Sequence, residues 1–411
     1  MQKNTPLTWE ELNQYKVIEN DRVDGPTNSY SNLRLFGSKK ENVKLTFYRD
    51  RHAWCPYCQK IWLWLEYKRV PYRVKKVNMF CYGKKEKWYL DKLSSGKLPA
   101  IELNGKIIAE SDDIIYFLEK EFGSLGTSIS ADNFRNTRFL ERKIFRAWCE
   151  WLCKPTLIFF ESSLRKKNFR ESLIEFDNIL TKSATGFVDP IHLNSNEVIP
   201  GTGDIIFIPY LERINASLCY YKGFSIREEF SSINRWFSLL EKQKTYQGTQ
   251  SDFHTHAHDL PPQMGGCYTD KNEAQIKFSK LIDNGQGLGN LESNSSCDDN
   301  DYFSKFAITR VIRHKENIVK VNPCNNDHFD FALRSVLTYM VNGNINKPNK
   351  TCGIGLRYLR DRISVPRDMP LISARLFRQA LEKISSLCDS VEEYKIPTSH
   401  RYDQDPKDFK I

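Results

Sequence analysis

Trp54-Cys55-Pro56-Tyr57-Cys58 is the stretch on which the reading of the whole chain turns. Before it, Lys44 to Tyr48 reads as a short strand with Leu45 and Phe47 on one face. After it, Cys58, Ile61, Trp62 and Leu65 recur at i, i+3, i+4 and i+7, the spacing of an amphipathic helix. Pro56 suits the first helical position, where a missing N–H costs nothing. Cys55 is thereby expected at the open N-terminus of a helix that follows a strand. Unsatisfied N–H groups and the positive end of the helix dipole favour an anion there, so Cys55 is expected to react as a thiolate. Cys58, about one turn further in, is more shielded. Cys55 is the candidate nucleophile and Cys58 the candidate resolving thiol.

A C-x-x-C pair is also half of a zinc site, but such a site wants a second pair at similar spacing. None occurs: Cys81 stands alone, and Cys149 and Cys153 are separated by three residues on another predicted helix. Thiol chemistry is the favoured reading and no metal is assigned to the site; metal or iron–sulfur ligation and inert structural cysteines are the alternatives.

The chain has 411 residues, enough for two or three domains. Its eleven cysteines follow no regular spacing, which argues against a secreted disulfide scaffold. No apolar run approaches the ~20 residues of a membrane span, and the N-terminus lacks the pattern of a signal peptide. Thr8 and Glu11 fit a capping box that opens a short helix. A cytoplasmic protein without membrane partners is the expectation. The net charge of +10 is dispersed among Glu and Asp with no solid basic block, so nucleic acid is not expected as a partner.

Residues 1–43 read as a leader whose second half, Asp21 to Asn42, is irregular. Residues 44–123 read strand, helix, strand, helical stretch, two strands, helix. The last two strands, Ala100 to Leu103 and Lys106 to Ala109, are joined by Asn104-Gly105, a strong hairpin signal. The closing helix starts at Ser111 as N-cap and buries Ile114, Ile115, Phe117 and Leu118. Residues 131–245 read as all-helical. Leu140, Ile144, Trp148 and Trp151 form one stripe; Phe169, Leu173, Phe176 and Ile179 form another; Asp204 to Tyr221 and Glu228 to Lys242 supply two more helices. These stripes are expected to be core, with Trp148, Trp151 and Tyr210 able to line a cleft instead. Residues 246–411 form a mixed, mostly helical extension, with a mobile insertion near 284–300 expected from its Gly, Asn, Ser and Asp content.

The stretch from Lys44 to Gly123 resembles the glutathione-binding domain of the glutathione transferase superfamily, itself thioredoxin-like. Cys55-Pro56-Tyr57-Cys58 is similar to the dithiol site of glutaredoxins. Lys97-Leu98-Pro99-Ala100 resembles the loop whose cis-proline opens a glutathione-binding strand, and Glu110-Ser111 the pair that holds the γ-glutamyl end. Gly201 to Ile214 is similar to the helix-start motif of the second domain; Asp204 matches its acid, and Gly201 replaces the usual Ser or Thr. Two tail stretches look like the iota-type transferases: Ser251 to Gly266, S-D-F-H-T-H-A-H-D-L-P-P-Q-M-G-G, and, within Gly355 to Met369, L-R-Y-L-R-D-R-I-S-V-P-R-D-M.

The resemblance implies an α+β chain: a thioredoxin-like domain of order βαβαββα, an all-α transferase-type domain and the extension, to which it assigns no role. It implies glutathione as co-substrate and a small electrophile or disulfide as its partner, and leaves a homodimer open. A cis Leu98–Pro99 bond would turn the Leu98 backbone toward the cleft, where an extended peptide pairs as an added strand. Ser111 and the free N–H groups of its helix bind the γ-glutamyl carboxylate, and Glu110 accepts from the ammonium. Lys97, with Lys92 as second candidate, matches the glycyl carboxylate position. A cysteine nucleophile implies thiol transfer, deglutathionylation or dehydroascorbate reduction over conjugation. The rival reading is a non-catalytic protein that holds glutathione, another ligand or an iron–sulfur cluster.

Two further constellations stand outside the resemblance. His254, His256 and His258 alternate, and Pro261-Pro262 favours an extended segment in which three imidazoles converge on a metal; the simpler reading is local hydrogen bonding against neighbouring helices. Arg357, Arg360 and Arg362 could grip an anion, but Asp361 and the Leu356, Leu359, Ile363 stripe favour a packed, salt-bridged helix.

Overall fold

The computed structural model describes residues 5–155, 159–195, 197–293 and 300–388. From its N-terminus the chain forms α1 (Trp9–Asn13), β1 (Leu33–Arg34), β2 (Leu45–Asp50), α2 (Pro56–Lys68), β3 (Tyr72–Val77), α3 (Lys87–Lys92), β4 (Ala100–Leu103), β5 (Lys106–Ala109) and α4 (Ser111–Phe122). The strands join in the order β1-β3-β2-β4-β5. The central β2 runs parallel to β3 and antiparallel to β4, with Phe47 opposite both Val74 and Ile101. Leu45 and Phe47 are buried on one face, where α2 and α4 pack. Asn104 and Gly105, both at positive φ, make the hairpin. This is the expected thioredoxin-like βαβαββα order in an α+β chain.

The second region contains α5 (Phe134–Cys153), α6 (Phe159–Lys182), β6 (Pro190–His192), β7 (Val198–Pro200), α7 (Thr202–Ile205), α8 (Ile208–Lys222), α9 (Ile226–Glu229), α10 (Ser231–Leu240) and α11 (Lys244–Thr249). The extension is helical among the described residues: α12 (Phe253–Met264), α13 (Glu273–Asp283), α14 (Asn300–Lys320), α15 (Asn326–Asn342), α16 (Cys352–Arg362) and α17 (Leu371–Ser385). No described helix is long and apolar enough to cross a membrane.

One apolar core runs through the first two regions and reaches Leu260 of α12. A second is built by α14 to α17, and Leu12 of α1 lies inside it. The leader packs onto both neighbouring regions, and its second half, Asp21 to Asn42, is mostly irregular as the sequence predicts, apart from β1 and one short helical turn. The Thr8–Glu11 capping box is present, Trp9 Nε1 donates to Asp330 at 2.8 Å, and β1 extends the sheet. Arg34 is buried with a bidentate pairing to Glu66 at 2.8 and 3.0 Å.

Four expectations are corrected. The region read as all-helical carries the β6–β7 hairpin. Asp204 to Tyr221 is two helices, and the buried Asp204 carboxylate accepts from the N–H groups of Val188 and Asp189 and from Trp236 Nε1, each at 2.8 Å. Ile179 is 39% exposed, and Leu180 takes its place beside Phe169, Leu173 and Phe176, as the 3.6-residue period requires. Residues 284–293, at the start of the expected mobile insertion, are packed: Gly285 lies against Arg378, and Glu292 accepts from Phe253 N at 2.8 Å and Arg375 at 3.0 Å. The glycines there provide close approach and positive φ rather than looseness. The rest of that stretch, 294–299, lies outside the described residues.

Candidate active site

Cys55 is the N-cap residue of α2 and Pro56 its first helical residue, as the sequence predicts. The turn that delivers Cys55 is held from three sides. Asp50, fully buried at the end of β2, accepts from Trp54 N at 2.6 Å. Arg213 of α8 donates to the Trp54 carbonyl and lies 4.6 Å over its ring. Trp54 Nε1 donates to His256 Nδ1 at 3.1 Å. Ala53 adopts the positive φ that turns the chain.

Cys58 is almost fully buried beneath Cys55. Burial, then the hydrogen bond with Cys55, pushes its thiol well above the ordinary range. Cys55 is itself buried, at 5% exposure against 1% for Cys58, so the two differ chiefly in position: Cys58 lies one turn inside the helix and holds its proton, while Cys55 stands at the helix end on the cavity wall. The two sulfurs and a carboxylate oxygen of Asp50 lie within 4.8 Å of one another.

Helix α2 is not the one-sided amphipathic helix its apolar stripe suggests. Gln59, Lys60 and Glu66 are buried as well, because each meets a partner from another element. Gln59 donates to Glu212 at 3.1 Å. Lys60 Nζ donates to Ser111 Oγ and to Asp112, both at 3.0 Å, and burial lowers its pKa to about 8.

A cavity of about 440 Å³ opens beside Cys55. Lys97 and Leu98 line it from the first region, Trp148 and Tyr210 from the second, and Gln263 and Met264 from the extension. Trp151 is instead core, packed on Phe169 and Phe224. Lys85 and Arg213 bring positive charge to this wall, and among the described residues no carboxylate lines it. Cys81, which stood alone in the sequence, lies in the same cavity under Gln263, its thiol pushed up to about 11 by burial.

The Leu98–Pro99 bond is cis, and Pro99 is buried where β4 begins. Glu110 and Ser111 stand at the start of α4, outside the cavity wall. Glu110 rather than Ser111 is the N-cap, since its carbonyl accepts the first helical bond, from Ile114 N at 2.9 Å. Ser111 is buried against Lys60. Lys97 and Glu110, read as holding opposite ends of a tripeptide, are ion-paired with each other and exposed. Lys92 pairs with Glu102 at 3.2 Å.

The histidine triplet is helical, not extended, and its three rings do not meet at one point: His254 and His258, one turn apart, have ring centroids 4.7 Å from each other, while His256 faces Trp54 and Glu212. His254 meets Asp361 at 3.2 Å, His256 meets Glu212 at 2.9 Å and His258 meets Asp283 at 2.9 Å. Asp252 caps the helix by accepting from Thr255 N. The arginine helix α16 is packed as expected, with Arg357 and Arg360 on Glu382 and Arg360 on Asp361.

Sequence reading missed Asp50, Arg213, Glu212 and His256 as parts of this site. Asp50 ends the strand before the thiol turn, which was a usable signal; the other three come from distant segments.

Residues 54–121 match the family model described as glutathione S-transferase, N-terminal domain. The chain is 26% identical over 208 residues to glutathione S-transferase DHAR2 of Arabidopsis thaliana, an overlap of 48% of this chain and 84% of that protein. It is 26% identical over 199 residues to glutathione S-transferase L3 of Arabidopsis thaliana, covering 48% and 79%. Among solved structures, a dehydroascorbate reductase of Chlamydomonas reinhardtii aligns with a TM-score of 0.41 at 20% identity, over 51% of this chain and 93% of that one.

Proposed function

We propose that this chain, which belongs to the glutathione transferase superfamily, is a glutathione-dependent thiol transferase or reductase with Cys55 as its nucleophile. The observation that carries the reading is the placement of the two sulfurs: Cys55 at the N-cap of α2 on the wall of a cavity, Cys58 buried one turn beneath it. A serine or tyrosine there holds glutathione's thiolate without reacting; a cysteine forms and breaks bonds to sulfur. The Cys55 thiolate attacks the glutathionyl sulfur of a mixed disulfide, forming Cys55–S–SG and releasing the other partner as its thiol. A glutathione thiolate then attacks that intermediate, giving oxidised glutathione and free Cys55. Alternatively Cys58 attacks, giving glutathione and a Cys55–Cys58 disulfide that two further glutathione molecules reduce. Dehydroascorbate reduction fits the same site, through glutathione as the reductant. The iota-type assignment rests on the dithiol together with Ser251 to Gly266 and the arginine helix. Lys97, Leu98, Pro99, Glu110 and Ser111 are the glutathione-binding set.

The Asp50, Cys55 and Cys58 cluster favours one second reading, a cluster- or ligand-holding protein without turnover. Purified Cys55→Ser and Cys58→Ser variants separate the two. Cys55→Ser is expected to abolish glutathione-dependent reduction of a small mixed disulfide, while Cys58→Ser keeps measurable activity. Equal loss in both removes the division of roles. No turnover in the unsubstituted chain, with visible charge-transfer absorption, establishes the second reading instead.

A further inference from the structure

The extension reaches the nucleophile turn through one side chain. His256, on the first turn of α12 and fully buried, receives the Trp54 indole N–H at Nδ1, 3.1 Å away. An indole nitrogen only donates, so Nδ1 is the bare nitrogen of the ring. The ring proton therefore sits on Nε2 and is donated to Glu212 Oε1 at 2.9 Å. Glu212 accepts in turn from Ser251 N at 2.9 Å and from Gln59 Nε2 at 3.1 Å. Gln59 Oε1 accepts from Arg213 at 2.9 Å, and Arg213 returns to the Trp54 carbonyl. The circuit closes around the first turn of α2, and every member is buried. Such a network is rigid only while each donor meets its acceptor.

We propose that His256 is a positioning residue for the Cys55 nucleophile: its neutral imidazole, accepting from Trp54 and donating to Glu212, fixes the residue that precedes the reacting sulfur. The proposal rests on Cys55 being the nucleophile. It gives residues 246–411 a part in the chemistry, because the ring that holds Trp54 belongs to the extension. Burial, which lowers the pKa of His256, favours the neutral ring the geometry requires. A doubly protonated ring would set two N–H groups against each other at Trp54.

The test is the rate at which iodoacetamide alkylates Cys55 in the full chain, followed on its peptide by mass spectrometry. This readout needs no glutathione, so it stands or falls separately from thiol transfer. His256→Gln keeps an acceptor and a donor and is expected to stay within about twofold of the unsubstituted rate. His256→Leu, which leaves the indole without its acceptor and takes one of the donors from Glu212, is expected to slow it about tenfold, the scale of one lost buried hydrogen bond. In a Trp54→Phe background His256→Leu should add little. Unchanged rates in both His256 variants, or losses from His256→Leu and Trp54→Phe that simply multiply, overturn the proposal. Should His256→Leu fail to fold, nitrogen-15 spectra of the unsubstituted chain decide: a proton on His256 Nε2 and a hydrogen-bonded Trp54 indole support it, a proton on Nδ1 overturns it. Normal Cys55 alkylation with no thiol transfer in the unsubstituted chain would instead count against the proposed function.

Discussion

Helix α2 of the first region and helix α12 of the extension meet at Trp54, and both contain proline in a different place. Pro56 opens α2, where no backbone bond is lost. Pro261 and Pro262 lie inside α12, where each removes a bond to the carbonyl four residues back. The helix survives because tertiary structure supplies what the backbone lost: Tyr221 OH of α8 donates to the Ala257 carbonyl at 2.7 Å, the group Pro261 leaves without its helical donor. The first helix is specified by its own residues, and the second by the wall it is packed against. Their histidines do not divide that way, since His52 beside α2 and His254, His256 and His258 of α12 are each met by groups from other segments.

The largest expected effect concerns that interface at low pH. His52, in the thiol turn, stacks on Tyr82 at 4.1 Å, and burial and then Arg367 of the extension lower its pKa from 6.5 to about 4, against the charges of Asp50, Asp259 and Asp368. The unfolded chain takes up a proton near 6.5 while the folded chain resists to about 4. Stability is therefore full above about 6.5 and falls as pH drops toward 4, by roughly 3 kcal/mol from this group alone. Urea unfolding across that window should show a slope that His52→Gln flattens; an unchanged slope means His52 is not held neutral by the packed extension.

The next effect separates the two regions by ligand. Glutathione binding is expected to depend on the start of α4 and not on the wall supplied by α12. A lost charge-assisted hydrogen bond costs about 1.5–3 kcal/mol, so Glu110→Ala or Ser111→Ala should raise the glutathione Kd roughly ten- to a hundredfold. Gln263→Ala, on the extension, should leave it near the unsubstituted value. Calorimetric titration checks all three. Unchanged affinity in both α4 variants means the tripeptide lies elsewhere, and a large loss in Gln263→Ala means the extension holds glutathione itself.

What was legible in the chain follows the same division. The βαβαββα order, the Asn104-Gly105 hairpin, the N-cap position of Cys55 and the shielding of Cys58 depend on neighbours within a few residues, and each stands as the sequence predicts. Ile179 lies one position off the buried stripe, which follows the 3.6-residue period from Phe169 to Leu180. The burial of Gln59 and Lys60 could not be read from α2, since their partners Glu212 and Ser111 lie 153 and 51 residues away. Proline read the histidine segment as extended because local rules do not include Tyr221. Glycine content read 284–293 as loose because composition does not distinguish a free glycine from one pressed against Arg378.

The smallest effect is the one that isolates the tertiary rescue of α12. Tyr221→Phe removes only a hydroxyl, leaving the Ala257 carbonyl buried without that donor, and is expected to lower stability by about 1–3 kcal/mol. Pro261→Ala restores an N–H at the position that faces the same carbonyl in a regular helix, so in the Tyr221→Phe background it should recover much of that loss. In the unsubstituted background Pro261→Ala should gain less, because the carbonyl already has its donor and proline's stiffening of the unfolded chain is lost. The interaction between the two changes is the quantity of interest, and a double-mutant cycle from urea midpoints measures it. If the effects add within about 0.5 kcal/mol, the tyrosine does not stand in for the missing backbone donor, and α12 owes its helical form to its apolar face alone.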